Sequence, residues 1–232
     1  MKFGYFSDKD PIAFERYPFR CPPWDPMPDG KKNVVILGCS HTWGVGLEPH
    51  ETWAHKVSQH NTDRLRYFNL AQPGYSPEGV VRMLYRTEKS IFPKIIIICW
   101  PEISRREWYD SGNMSVPLNL LGHDEKLRHQ TANTDMHVFL RSVFFAEKFA
   151  QNHGAKLIHC FADTYIDLKE HDPQLTVLED YTLKNCWPHW DRFEARERFD
   201  KPSRARDGLH YGEEHHERFA RLFLGKFGQK LR

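Results

Sequence analysis

An apolar segment that runs into a turn of small residues is the feature that most constrains how this chain folds. Residues 34–46 read Val-Val-Ile-Leu-Gly-Cys-Ser-His-Thr-Trp-Gly-Val-Gly, so four consecutive apolar residues precede Gly38 and Ser40. Continuous apolar runs of this length are typical of strands that are buried on both faces of a parallel sheet. Ser40 is therefore predicted just beyond the carboxyl end of such a strand, where open parallel sheets carry their chemistry.

The rest of the chain alternates between strand-like and helix-like patterns. Further strands are predicted at 66–70, 95–99 and 156–161, and helices at 51–59, 76–92, 134–152 and 213–231. This alternation favours an α/β fold, specifically a three-layer α/β/α sandwich with a mostly parallel central sheet.

The proposed sandwich occupies one domain at residues 33–232, since a chain of 232 residues is within reach of a single core. Residues 1–32 contain repeated prolines and show no clear period, which predicts an irregular N-terminal extension. We expect Phe19 and Trp24 to anchor this extension on the domain.

Composition argues against several classes of partner and cofactor. Lys and Arg total 33 against 31 for Asp and Glu, so a net charge of +2 gives no strong attraction to nucleic acid or an anionic membrane. The longest apolar run, 95–100, is too short to span a bilayer. Five widely spaced cysteines and the lack of a His-Glu-x-x-His motif predict no disulfide framework, metal site or cofactor. The first residues lack an apolar signal segment, so we expect a cytoplasmic location at synthesis.

An acid and a histidine near the end of the chain are candidate catalytic partners of Ser40. Asp207-Gly208-Leu209-His210 places the two groups three residues apart, and Gly208 permits a tight turn between them. A serine needs a base within hydrogen-bond reach to act as a nucleophile, and a carboxylate can fix the tautomer of that base. Ser40, His210 and Asp207 are thus candidates for nucleophile, base and orienting group.

Three short motifs resemble the blocks of the SGNH (GDSL-type) hydrolase superfamily, whose members are flavodoxin-like α/β/α esterases and acetylhydrolases. The first block is matched by residues 38–44, Gly-Cys-Ser-His-Thr-Trp-Gly, and the second by residues 69–74, Asn-Leu-Ala-Gln-Pro-Gly. The last block, Asp-x-x-His before a C-terminal helix, is matched by residues 207–210. The resemblance covers about residues 33–230.

The resemblance implies that Ser40 is the nucleophile, His210 the base and Asp207 its orienting group. It also implies that the N–H groups of Ser40 and Gly74 contribute to an oxyanion hole. The implied reaction is hydrolysis of an acetyl or acyl ester, here expected on a carbohydrate, through an acyl-enzyme. The long polar sections 101–133 and 163–206 are expected to shape the substrate pocket.

The chain departs from the family pattern in two blocks. Cys39 stands where the family has the Asp before its serine, and no Asn follows the third strand, where residues 99–106 read Cys-Trp-Pro-Glu-Ile-Ser-Arg-Arg. That Asn donates a hydrogen bond to the oxyanion in the family, and losing one such donor typically costs about 10²–10³ in turnover. Arg105 or Arg106 could supply a substitute donor.

Two other functions remain open at this point. The missing Asn favours a non-catalytic glycan-binding or structural protein, and an acyltransferase would use the same three residues as an esterase. Trp100 with a nearby Arg resembles some phage-encoded members, which would make a virion-associated location the alternative to the cytoplasm. A homo-oligomer is also compatible with the sequence, and His215 and His216 are expected as solvated helix residues.

Overall fold

A parallel sheet forms the middle layer of the structure, a computed structural model that describes residues 19–22, 29–88, 90–109, 115–117, 132–161, 186–187 and 203–232. Its strands are β1 (Lys32–Gly38), β2 (Leu65–Asn69), β3 (Ile95–Trp100), β6 (Lys156–Phe161) and the two-residue β7 (Cys186–Trp187). They lie in the order β2-β1-β3-β6-β7, and every neighbouring pair is parallel.

The four longer strands occur where the apolar segments predicted them. Residues 95–100 are all buried, as expected for a strand covered on both faces. Gly38 at the end of β1 pairs with Cys99 of β3, which in turn pairs with Cys160 of β6. The carboxyl ends of the central strands therefore meet at one edge of the sheet.

Helices cover both faces of this sheet. The described helices are α1 (Ser40–Trp43), α2 (Trp53–Ser58), α3 (Pro77–Arg86), α4 (Ala132–Asn152) and α5 (Glu213–Phe227), with 3₁₀ turns at Pro49–Glu51 and Gly228–Leu231. Buried side chains of α3 and α4 pack with Val35 and Leu37 in one cluster, whereas those of α2 and α5 pack with Val34 and Ile36 in the other. Successive strand residues point to opposite faces, so the three-layer α/β/α sandwich is confirmed.

The start of α3 was predicted correctly, but its end was not. The Ser76 hydroxyl accepts a hydrogen bond from the Gly79 N–H at 3.2 Å and caps the helix, as its sequence position predicted. The helix ends at Arg86 rather than near Phe92. The hydroxyl of Thr87 donates to the Leu84 carbonyl at 2.6 Å, and Phe92 has a positive φ of 51°, so the chain turns before it reaches Pro93.

Two further differences concern the loops and the last helix. The polar section 101–133 contains an antiparallel pair, β4 (Glu107–Tyr109) and β5 (Ser115–Pro117), while 110–114 and 118–131 lie outside the described residues. The regular part of α5 ends at Phe227, and the predicted remainder forms the 3₁₀ turn. Most of 163–206 also lies outside the described residues, apart from β7 and 203–206.

Little of the N-terminal extension is described, but the part that is seen packs on the domain. Phe19 and Cys21 are buried in the same cluster as α3 and α4. Residues 1–18 and Trp24 lie outside the described residues, so the extent of the extension stays a prediction. None of the described helices is long and apolar enough to cross a membrane.

Candidate active site

Ser40 is the first residue of the four-residue helix α1, directly beyond the end of β1. The strand can end this closely against the helix because Gly38 has no side chain. A Cβ atom at Gly38 would overlap the Thr42 hydroxyl and lie 2.8 Å from the Cys99 carbonyl oxygen. Ser40 itself is mostly buried, so the surrounding chain fixes where its hydroxyl can point.

Backbone hydrogen bonds hold the helix that carries Ser40. The Cys39 carbonyl accepts from the N–H groups of Thr42 and Trp43 at 3.0 and 2.9 Å, and the Ser40 carbonyl accepts from Gly44 at 2.7 Å. Gly44 then adopts a φ of 83°, in the left-handed region that favours glycine. The glycine after the serine in the first motif therefore ends the helix.

The second motif is bonded directly to this serine turn. Asn69 ends β2, and its Nδ2 donates to the Thr42 carbonyl at 3.2 Å while its Oδ1 accepts from the Ala71 N–H at 3.2 Å. The Gln72 N–H donates to the Gly38 carbonyl at 3.2 Å. Gly74 follows in a tight turn with a φ of 86°. The loop that carries Gly74 is thus anchored beside the loop that carries Ser40.

The acid and the histidine of the last motif form a hydrogen-bonded pair. Nδ1 of His210 lies 2.5 Å from Oδ2 of Asp207, and Asp207 Oδ1 accepts the N–H groups of Leu209 and His210 at 3.0 Å each. Gly208 has a φ of 72°, which permits the turn between them. Partial burial by itself would raise the pKa of Asp207, but these hydrogen bonds outweigh it and hold the pKa below its usual value. Asp207 is therefore an anion that orients His210.

The loop of the last motif docks on the residues that follow Ser40. The ring of His210 lies 5.3 Å from the ring of His41, and the ring of Tyr211 lies 5.2 Å from the same side chain. The Arg206 N–H donates to the Gly46 carbonyl at 3.0 Å. These contacts bring the Asp207–His210 pair to the serine loop, at the carboxyl edge of the sheet.

Arg105 and Arg106, the two arginines considered as substitute donors in the segment 99–106, have different partners in the structure. The guanidinium of Arg106 is paired with Asp135 on α4 and also donates to the carbonyls of Ile103 and Arg105, at 2.9 and 3.1 Å. Arg105 makes a long ion pair of 3.9 Å with Glu102. Burial raises the pKa of the Cys39 thiol, and the charge of Arg105 acts on it in the opposite direction. Arg105 is thus close enough to act on the residue before Ser40, whereas Arg106 is held by α4.

The described residues offer no metal centre, because no three His, Cys, Asp or Glu side chains among them come together as ligands. The four cysteines with described side chains, Cys21, Cys39, Cys99 and Cys160, are buried and are not joined by disulfides.

The prediction of solvated histidines at the start of α5 is wrong. His215 and His216 are both buried, and Nδ1 of His216 accepts the N–H of Trp53, the first residue of α2, at 3.0 Å. A signal was present in the sequence, because His216 lies three and seven residues before Phe219 and Phe223, on the apolar face of the helix.

An ion pair between Glu51 and Arg206 was not predictable from the sequence. These residues are 155 positions apart, and their side chains make two hydrogen bonds of 2.6 and 2.7 Å. No local pattern connects positions so distant, and only the folded chain brings them together.

Comparison with known proteins gives matches at the level of structure alone. No family model and no curated protein sequence matches the chain. A psychrotrophic esterase, EstA from Pseudoalteromonas sp., superposes with a TM-score of 0.54 at 15% identity, over 87% of this chain and 99% of the esterase. A lipolytic protein of the G-D-S-L family from Veillonella parvula gives 0.52 at 13% identity, over 85% and 98%. A carbohydrate esterase, described as having divergent catalytic and non-catalytic binding functions in its active site, gives 0.53 at 13%, over 88% and 67%.

The protein has the SGNH (GDSL-type) hydrolase fold. Coverage of nearly the whole EstA chain and of most of this one confirms the fold that the resemblance implied. In this SGNH fold the serine turn, the Gly74 turn and the Asp207–His210 loop lie together at one edge of the sheet.

Proposed function

We propose that the protein is a serine esterase that hydrolyses a carboxylic ester through an acyl-enzyme on Ser40. The observation that carries this proposal is the hydrogen-bonded Asp207–His210 pair, docked on the loop that follows Ser40. An anionic carboxylate on Nδ1 leaves Nε2 of the imidazole as the basic nitrogen, which is the tautomer that can accept a proton from a serine.

The reaction follows from these roles. His210 accepts the proton of the Ser40 hydroxyl as Oγ forms a bond to the ester carbonyl carbon. The tetrahedral intermediate collapses when the bond to the alcohol oxygen breaks, and the alcohol leaves with the proton from His210. Water then loses a proton to His210 and attacks the carbonyl carbon of the acyl-enzyme. The bond from that carbon to Oγ breaks and Oγ takes the proton from His210, which releases the carboxylic acid and regenerates Ser40.

Stabilisation of the oxyanion is assigned to the N–H groups of Ser40 and Gly74, with Arg105 as the third donor. The hydrogen bonds of Asn69 and Gln72 hold the Gly74 turn beside Ser40, which supports the two backbone donors. Arg105 is favoured over Arg106 because Asp135 already binds the guanidinium of Arg106. A guanidinium charge would stabilise the developing negative charge as the family's asparagine does by hydrogen bonding.

The substrate class we favour is an acetyl or acyl ester on a carbohydrate. Support comes from the fold, which this chain shares with a carbohydrate esterase over 88% of its length. An acyltransferase would form the same acyl-enzyme and transfer it to an alcohol, so analysis of the products separates the two reactions.

Covalent labelling with a fluorophosphonate probe tests the proposal. We expect one probe per chain on Ser40 by peptide mass spectrometry, and no labelling of Ser40→Ala or His210→Ala. Ser58→Ala is the matched control, because Ser58 lies on α2 and its hydroxyl donates to the His55 carbonyl at 2.7 Å. A folded wild-type protein that reacts no faster than Ser40→Ala would contradict the esterase and acyltransferase proposals alike.

One observation favours a second function, namely glycan binding without catalysis. No asparagine occurs in residues 99–106, so the site lacks the side-chain amide that the family uses for its oxyanion. If wild type remains unlabelled, binding of acetylated and deacetylated oligosaccharides by calorimetry becomes the decisive measurement for this alternative.

A further inference from the structure

An ion pair links the segment after Ser40 to the residue before Asp207. Glu51 ends the 3₁₀ turn Pro49–Glu51, and Arg206 directly precedes the acid of the last motif. Nη1 and Nη2 of Arg206 donate to the two carboxylate oxygens of Glu51 at 2.7 and 2.6 Å. Two parallel hydrogen bonds fix the relative direction of the groups as well as their distance.

Both partners are held from the side of their own loop. Oε2 of Glu51, which accepts from Nη1 of Arg206, also accepts the Glu48 N–H at 2.7 Å. This bond belongs to a capping box that orients the carboxylate. The backbone N–H of Arg206 donates to the Gly46 carbonyl at 3.0 Å. A Cβ atom at Gly46 would lie 2.9 Å from Ala205 Cβ and 3.0 Å from the Asp207 N atom, so the two loops touch along their backbones.

Both members of the ion pair are charged at neutral pH. Hydrogen bonds from Arg206 are the main reason that the pKa of Glu51 is lowered to about 2. The same contacts raise the pKa of Arg206 above its usual value. Glu51 therefore keeps its negative charge well below neutral pH.

The backbone relays the position of Arg206 to both members of the pair that follows it. Asp207 is the next residue, and the N–H of Ala205 donates to the His210 carbonyl at 2.9 Å. A shift of Arg206 therefore moves the carboxylate and the imidazole together relative to Ser40.

We propose that Glu51 and Arg206 are positioning residues that set the Asp207–His210 pair against Ser40, an inference that rests on the proposed esterase function. Neither residue touches the reacting atoms in this role. Displacing a catalytic group by about 1 Å can cost roughly 10²-fold in rate, so an orienting contact one residue from Asp207 has large leverage.

A second ion pair provides a matched control. Nζ of Lys56 on α2 lies 2.8 Å from Glu217 and 3.6 Å from Glu213 on α5, so it also joins the N-terminal half to the C-terminal segment. Both of its ion-pair partners lie on α5, outside the serine turn and outside residues 203–210. Lys56→Gln removes an ion pair that spans a similar distance in sequence, and it leaves Glu51 and Arg206 unchanged.

The experiment combines activity with a measurement that needs no activity. Five proteins are compared for the fluorophosphonate labelling rate and for kcat and KM on p-nitrophenyl acetate. They are wild type, Glu51→Gln, Arg206→Lys, the charge-swapped double variant Glu51→Arg/Arg206→Glu, and Lys56→Gln. Amide hydrogen exchange of peptides that cover residues 203–212 is followed in parallel by mass spectrometry.

We expect Glu51→Gln and Arg206→Lys to lower the labelling rate and kcat by roughly ten- to a hundredfold with KM little changed, and the charge swap to restore part of that loss. Exchange in 203–212 should accelerate in both single variants and stay at the wild-type rate in Lys56→Gln. Wild-type labelling rates and exchange in both single variants would overturn the inference, as would an equal loss in Lys56→Gln. If wild type is not labelled at all, the esterase proposal fails. In that case, unchanged hydrogen exchange in Glu51→Gln would also show that the Glu51–Arg206 ion pair does not hold residues 203–212 in place.

Discussion

Single buried side chains fix features that short motifs cannot specify. His216 accepts the Trp53 N–H and is almost fully enclosed, so burial lowers its pKa to about 3 from 6.5. Its role at the start of α2 requires a neutral imidazole, because a protonated ring has no acceptor for that N–H. The histidine therefore couples protonation to the packing of α2 on α5.

The pH dependence of stability tests this role. Above pH 6.5 His216 is neutral in both states; as the pH falls from 6.5 towards 3, the unfolded chain takes up a proton that the folded one excludes. The free energy of unfolding should therefore fall with decreasing pH, by roughly 2 kcal/mol from this group between pH 6.5 and 5. In His216→Asn, whose amide oxygen can still accept the Trp53 N–H, urea unfolding should show a shallower slope. A slope equal to that of wild type, or the same change in the exposed His137→Asn, would contradict this assignment.

Arg105 and Arg106 are adjacent in sequence but are predicted to respond differently to mutation. Arg105→Ala should lower kcat on an ester by about 10²–10³ with little change in KM, because Arg105 is the proposed third donor to the oxyanion. Arg106→Ala should mainly lower the melting temperature, because it leaves Asp135 buried without its guanidinium partner. Steady-state kinetics and thermal unfolding of both variants measure the contrast. An Arg105→Ala enzyme with wild-type kcat would leave the oxyanion to the backbone donors alone.

At the scale of elements, the segments that depend on local pattern were predicted and those that depend on remote contacts were not. The apolar run 95–99 identified β3 because full burial on both faces leaves a signature in consecutive residues. The end of α3 was missed because a back-bonding Thr87 and a turn before Pro93 override an apolar pattern that reaches Ile91. Helix periodicity reports which face is buried, but it does not report where the chain must turn.

The junction between β1 and α1 is the element boundary on which the site depends most. Gly38→Ala should reduce both the melting temperature and the fluorophosphonate labelling rate, because the new methyl group meets the Thr42 hydroxyl and the Cys99 carbonyl. Gly225→Ala is the control: Gly225 lies inside α5 with nothing within 4 Å of a new Cβ atom. That change should raise the free energy of unfolding by about 0.5–1 kcal/mol and leave labelling unchanged. Equal behaviour of the two variants would mean that the junction tolerates a side chain.

At the scale of the whole molecule, the candidate site was predictable as far as it is local in sequence. Ser40 with its turn, the Gly74 turn and the Asp207–His210 turn each carry their own signal in residue type and spacing. The contacts that assemble these turns carry no such signal. The hydrogen bond from the Asn69 side-chain amide to the Thr42 carbonyl spans 27 positions, and the Glu51–Arg206 ion pair spans 155. The motifs therefore supplied the candidate groups, and only the folded chain shows that Arg106 is paired with Asp135 of α4 whereas Arg105 is paired with Glu102.

The two hydrophobic clusters on opposite faces of the sheet should unfold together in one cooperative transition. Substitutions in the two clusters should nevertheless have additive effects on the free energy of unfolding. Phe139 of α4 lies in one cluster and Phe223 of α5 in the other, and the buried strands separate them. Each Phe→Leu change should lower the free energy of unfolding by about 1 kcal/mol, and the double variant should show the sum to within about 0.5 kcal/mol, because the two side chains share no contact. Because β1, β2 and β3 contribute buried residues to both clusters, loss of either face exposes the sheet. Urea unfolding should therefore remain a single transition by circular dichroism and tryptophan fluorescence. Separate midpoints for the two probes, or a double variant far from the sum, would show that one layer unfolds without the other.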